Sequence, residues 1–79
     1  MKVKIRYFAQ LRDQACTDQE VLETDARTPG ELYEILKVRH GFTLNPGLVR
    51  AAVNDEFCAW DHPLEADSLV VFIPPVAGG

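Results

Sequence analysis

From Lys2 to Tyr7 polar and apolar side chains alternate, with Lys2, Lys4 and Arg6 on one parity and Val3, Ile5 and Tyr7 on the other. Period-two alternation marks a strand with one face buried and one face in water. Phe8 continues the polar parity, which predicts a surface position for an aromatic ring. "AQLRDQA" (Ala9 to Ala15) then predicts a short helical turn, and "DQEVLET" (Asp18 to Thr24) a second strand. Val21 and Leu22 are adjacent there, so only one of them can face a given side.

The period changes at Thr28. "TPGE" supplies Thr28 as N-cap, Pro29 at the first helical position and Glu31 three residues on, the pattern of a capping box. Leu32, Ile35, Leu36 and Arg39 follow at helical spacing and predict an apolar stripe that ends in the Arg39 stem. His40 and Gly41 suit the C-terminal end, with Gly41 in the left-handed cap. Gly30 in the first turn weakens the helix by about 1 kcal/mol relative to alanine.

Beyond the loop "LNPG", Val49, Ala51 and Val53 share one parity and predict a third strand. "NDE" (Asn54 to Glu56) reads as a turn, "FCAW" (Phe57 to Trp60) as a short return strand, and "DHPLEADS" as further turn chemistry. "LVVFI" (Leu69 to Ile73) is β-branched and aromatic, and reads as a fully packed central strand. Trp60 and Phe72 read as core or sheet-face residues. The order β-β-α-β-β-β is an α+β pattern with a mixed sheet of four to five strands and one main helix. The most economical packing lays Leu32, Ile35 and Leu36 on a sheet whose first and last strands are neighbours. This is the β-grasp (ubiquitin-like) arrangement; a generic α+β sandwich is the alternative.

Length and charge narrow the possible functions. A chain of 79 residues is one domain, assigned here to residues 1–73, and is near the lower limit for folding without staples. Twelve acidic and eight basic side chains give a net charge of −4, which argues against nucleic-acid binding. No apolar run is long enough for a membrane span, and "MKVKIRYF" lacks the apolar core of a secretory signal, so a cytoplasmic protein is expected. Cys16 and Cys58 lie far apart and outside any Cys-x-x-Cys motif, which predicts buried or half-buried free thiols. His40 and His62 stand in unrelated contexts, and no metal site is expected. Asp61, His62 and Asp67 fall in turn chemistry, which explains them without acid–base catalysis.

The C-terminal segment "FIPPVAGG" has a different logic. Pro74 and Pro75 cannot donate to a ladder, so they end the last strand and hold the chain extended. The tail 74–79 spans about 20 Å at about 3.3 Å per residue. Gly78 and Gly79 carry no Cβ, so the terminus fits a channel that admits only backbone. Its reactive group is the terminal carboxylate, a poor electrophile that needs activation, most simply as an acyl-adenylate made from ATP. An amine, a thiol or sulfide then accepts the acyl group.

"RYFAQLRD", "AAVN", "DHPL" and "FIPPVAGG", in that order across almost the whole chain, resemble the small-subunit family of molybdopterin synthase. The resemblance implies a ubiquitin-like sulfur carrier that binds no cofactor itself. An E1-like adenylyltransferase would activate Gly79 with ATP and Mg²⁺, and sulfur from a donor protein would replace AMP to give a thiocarboxylate. The tail (Pro74, Pro75, Val76, Ala77, Gly78) would thread into the large subunit, where sulfur passes to cyclic pyranopterin monophosphate. The family suggests a heterotetramer built on a dimer of large subunits, with the active site on the large subunit. It also implies partner contacts at Phe8, Phe57 and Ile73. Arg39 and Arg50 are separate candidates for interface salt bridges, with ordinary solvated surface arginines as the alternative. A carrier for another pathway such as thiamine synthesis, a protein modifier joined through Gly79 to target lysines, and a non-covalent adaptor are the competing readings.

Overall fold

The alternation at the N-terminus produces strand β1 (Lys2–Tyr7), with Val3, Ile5 and Tyr7 buried and the residues between them exposed. The computed structural model describes residues 1–75. After β1 come α1 (Ala9–Ala15), β2 (Gln19–Glu23), α2 (Pro29–His40), a single 3₁₀ turn at Pro46–Leu48, β3 (Arg50–Val53), β4 (Glu56–Cys58) and β5 (Leu69–Ile73). The strands form one mixed sheet in the order β2-β1-β5-β3-β4. β1 and β5 are parallel, and every other pairing is antiparallel. The first and last strands are therefore central neighbours, as the β-grasp reading requires. The "AQLRDQA" turn is a seven-residue helix, anchored by the fully buried Leu11.

Helix α2 begins as its sequence dictates. Thr28 Oγ1 accepts from the Glu31 amide at 3.2 Å, and Gly41 closes the helix at φ 71°. The returning half of the capping box lands one residue early, because Glu31 Oε1 accepts from the Arg27 amide rather than from Thr28. The buried stripe differs from the predicted one. Pro29, Leu32, Tyr33 and Leu36 face the sheet, whereas Ile35 is 43% exposed. Tyr33 takes the core position because its hydroxyl donates to the Leu44 carbonyl at 2.8 Å, leaving only ring surface to pack. That ring stacks on Phe42 and meets Trp60 and Phe72 edge-on, with centroids 5.3–5.8 Å away.

Gly30 is explained by packing. Its amide donates to the Trp60 carbonyl at 2.9 Å, and a Cβ there would stand 3.2 Å from that oxygen. The close approach locks the helix N-terminus against the segment after β4, and Trp60 in turn stacks on Phe72.

Three further expectations need correction. β4 ends at Cys58, so Trp60 lies beyond the return strand. Cys16 is exposed at the left-handed cap of α1; only Cys58 is half-buried. Pro74 is buried against the body and Pro75 is exposed. β5 is central, yet it is packed on one face only: Val70 and Phe72 are fully buried, while Leu69, Val71 and Ile73 are half-buried on the other side.

Candidate functional site

The sheet face turned away from α2 carries the side chains that the core does not use. Register aligns Arg6 with Val71, Val71 with Ala52, and Ala52 with Phe57, in one row across four strands. Ile73 lies opposite Arg50 in the next row. Val71, Ala52, Phe57 and Ile73, together with Phe8 and Leu69, line a shallow depression of about 260 Å³, with Arg6 and Asp55 as its charged lining. Phe8 is 41% and Phe57 60% exposed, a large aromatic area left in water. Contiguous exposed apolar surface of this kind marks an interaction site. The three residues singled out in the sequence, Phe8, Phe57 and Ile73, are thus brought together on one surface.

Local backbone places both rings. Phe8 is still extended (φ −130°, ψ 152°), but Ala9 turns abruptly at φ 49°, so α1 leaves the sheet and does not cover Phe8. A non-glycine residue in that region costs roughly 1–2 kcal/mol. On the far side, Asn54 and Asp55 both have positive φ, the geometry of a two-residue hairpin that matches strand twist. Asn54 also braces the hairpin against β5: its amide donates to the Leu69 carbonyl at 2.8 Å, and its Oδ1 accepts from the Leu69 amide at 3.0 Å. Phe57 is held in register by those bonds. β5 then delivers the chain to Pro74 and Pro75 beside Ile73. The remaining threading residues, Val76, Ala77, Gly78 and Gly79, lie outside the described residues.

A profile of the ThiS family matches residues 5–79. This chain belongs to the ThiS family. It is 35% identical over 80 residues to the molybdopterin synthase sulfur carrier subunit of Escherichia coli K12, covering 98% of this chain and 99% of that one. Among solved structures, a molybdopterin converting factor subunit 1 from Pyrococcus furiosus superposes with a TM-score of 0.79 at 31% identity, covering 96% and 99% of the two chains. A complex of subunits 1 and 2 of molybdopterin-converting factor from Helicobacter pylori matches with a TM-score of 0.70 at 26% identity, over all of both chains. The fold is the ubiquitin-like β-grasp read from the strand order.

On the helix side of this ThiS-family chain lies a polar cluster with no local signal along the chain. Glu20 Oε2 accepts from the Tyr7 hydroxyl at 2.6 Å and lies 2.7 Å from His40 Nε2, with Arg39 Nε 3.9 Å from Oε1. Burial pushes the Glu20 carboxyl up, but the Tyr7 and His40 hydrogen bonds and the His40 and Arg39 charges outweigh it and hold the group below its usual value. Burial, and then the Glu20 bond and charge, raise the Tyr7 hydroxyl well above the ordinary phenol range, with Arg39 opposing. The cluster ties edge strand β2 to the last turn of α2, and it faces away from the Phe8–Phe57 depression. Arg39 is engaged here, so of the two arginines considered for the interface only Arg50 stands on the open face.

The remaining candidates stay apart. Asp61 and His62 are exposed, and Asp67 serves a turn at φ 66°. Among the described residues no group of three His, Cys, Asp or Glu side chains gathers to hold a metal. No helix of the described residues is long and apolar enough to cross a membrane.

Proposed function

We propose that this chain is the sulfur-carrier subunit of a molybdopterin synthase, with Gly79 as the point of sulfur attachment and the open sheet face as its docking surface. The observation that carries the reading is the exposed apolar surface of Phe8, Phe57 and Ile73 at the end of β5, where the chain leaves toward Gly78 and Gly79. The near-full-length similarity to an E. coli sulfur carrier supports it, as does the likeness to a chain solved in complex with a second subunit.

The chemistry follows from the group available. The Gly79 carboxylate attacks ATP on an E1-like adenylyltransferase, with Mg²⁺ held by that enzyme, and pyrophosphate leaves. Sulfur delivered at the sulfide level by a donor protein then attacks the acyl carbon, the acyl–phosphate bond breaks and AMP leaves, giving a thiocarboxylate. Ionised at neutral pH, the sulfur is a better nucleophile than oxygen. Within the large subunit it attacks a carbon of cyclic pyranopterin monophosphate and displaces an oxygen leaving group. Water then cleaves the resulting thioester, leaving sulfur on the pterin and returning the Gly79 carboxylate. Pro75 through Gly78 act as a slim arm, and the chain supplies a covalent co-substrate rather than a base. Such a carrier works in the cytoplasm, with two copies on a dimer of large subunits.

The test is a reconstitution. Thiocarboxylated chain mixed with purified large subunit and the cyclic precursor should yield the dithiolene product, with one sulfur consumed per carrier. Absence of product, with stable conjugates on target lysines in cell extract instead, would replace this reading with that of a protein modifier.

A further inference from the structure

The open sheet face is basic on an acidic protein. Lys2, Lys4, Arg6 and Arg50 stand on it, half of the eight basic side chains, against Glu23 beside Lys2 and Asp55 in the hairpin turn. The two arginines are set against the two exposed aromatics: Arg50 Cζ lies 4.3 Å from the Phe57 ring centroid and Arg6 Cζ 5.6 Å from that of Phe8. Both distances fall in the range of cation–π attraction, about 6 Å or less. Neither guanidinium has a carboxylate of the described residues within ion-pair distance, in contrast to Arg39, which is paired with Glu20. β1 and β3 flank β5 on either side, and Arg50 lies opposite Ile73 where Arg6 lies opposite Val71, so their backbones stand about 10 Å apart across the sheet and about 7 Å apart along it.

We infer that Arg6 and Arg50 determine which partner the face accepts, selecting a protein surface that sets two carboxylates either side of an apolar centre. The inference deepens the docking role proposed above and rests on it. The rings remove part of the cost of ordering two long side chains, because each guanidinium is already held over an aromatic face. The apolar centre provides the desolvated contact, and the flanking charges set register and speed encounter. A nucleic acid would find too little positive charge on a chain of net charge −4.

The experiment titrates the full-length chain and its variants against purified large subunit by stopped-flow and calorimetry at low and high salt. R6E/R50E should bind at least about tenfold more weakly at low salt, mainly through a slower association rate. R6Q/R50Q should lose most of the salt dependence seen in the wild type. R50K should keep that salt dependence but dissociate faster, because an ammonium neither stacks as a plane nor bridges two oxygens. Both arginines are exposed, so an unchanged melting temperature separates binding from folding. Tight wild-type binding that is insensitive to salt and to R6E/R50E overturns the inference while leaving the proposed function standing. No wild-type binding overturns both. Self-association of the wild type that R6E/R50E abolishes assigns the face to a second copy, and overturns the inference as well.

Discussion

Glu20 shows how one side chain sets a local pH response. Its carboxylate receives a phenol and an imidazole N–H on one oxygen, so His40 Nε2 must carry the proton it donates. A carboxyl held below its usual value of 4.5 stabilises the fold fully above that value and loses the contribution as pH falls through its lowered folded value. Urea unfolding between neutral and acid pH should therefore show a loss of stability below about pH 4.5 that Glu20→Gln lacks. Equal slopes in wild type and variant would remove Glu20 from the account. Tyr7→Phe should cost about 1–3 kcal/mol at neutral pH, since it deprives a partly buried carboxylate of one donor. Equilibrium unfolding measures that loss.

At the scale of elements, helix α2 separates what was legible in the sequence from what was not. Thr28, Pro29 and Gly41 read correctly because caps are decided by residues within a few positions of one another. The buried stripe shifted from Ile35 to Tyr33 because the deciding partner, the Leu44 carbonyl, is supplied by the loop beyond the helix. Periodicity weighs Ile35 as apolar and Tyr33 as half polar, and it cannot see a satisfied hydroxyl. Leu36→Ala should destabilise by about 2–5 kcal/mol, whereas Ile35→Ala should stay within about 0.5 kcal/mol. Comparable losses at both would return Ile35 to the core. In β5 the unbroken run "LVVFI" concealed its alternation because both parities are apolar. Val70 and Phe72 complete the core, and Leu69, Val71 and Ile73 form the open face. Phe8, by contrast, was placed outside by parity alone. The Tyr7–Glu20–His40 cluster left no trace in the sequence, since its members come from three separate elements.

For the whole molecule, one sheet carries two apolar faces with different uses. Helix α2 closes one, and the other waits beside the exit of the chain. Because Phe8 and Phe57 add little to the core, Phe57→Ala should leave stability within about 0.5 kcal/mol of wild type. The same change should weaken the complex with the large subunit by about 2 kcal/mol or more, the loss typical of a central aromatic contact. Calorimetry on the one variant reads both quantities. Sulfur attachment at Gly79 is read by intact-mass spectrometry. After incubation with the activating enzyme, ATP–Mg²⁺ and a sulfur donor, the full chain should gain the mass of one oxygen-to-sulfur exchange, and a chain lacking Gly79 should gain nothing. An unchanged mass for the full chain, or the same gain without Gly79, would show that Gly79 does not carry the sulfur.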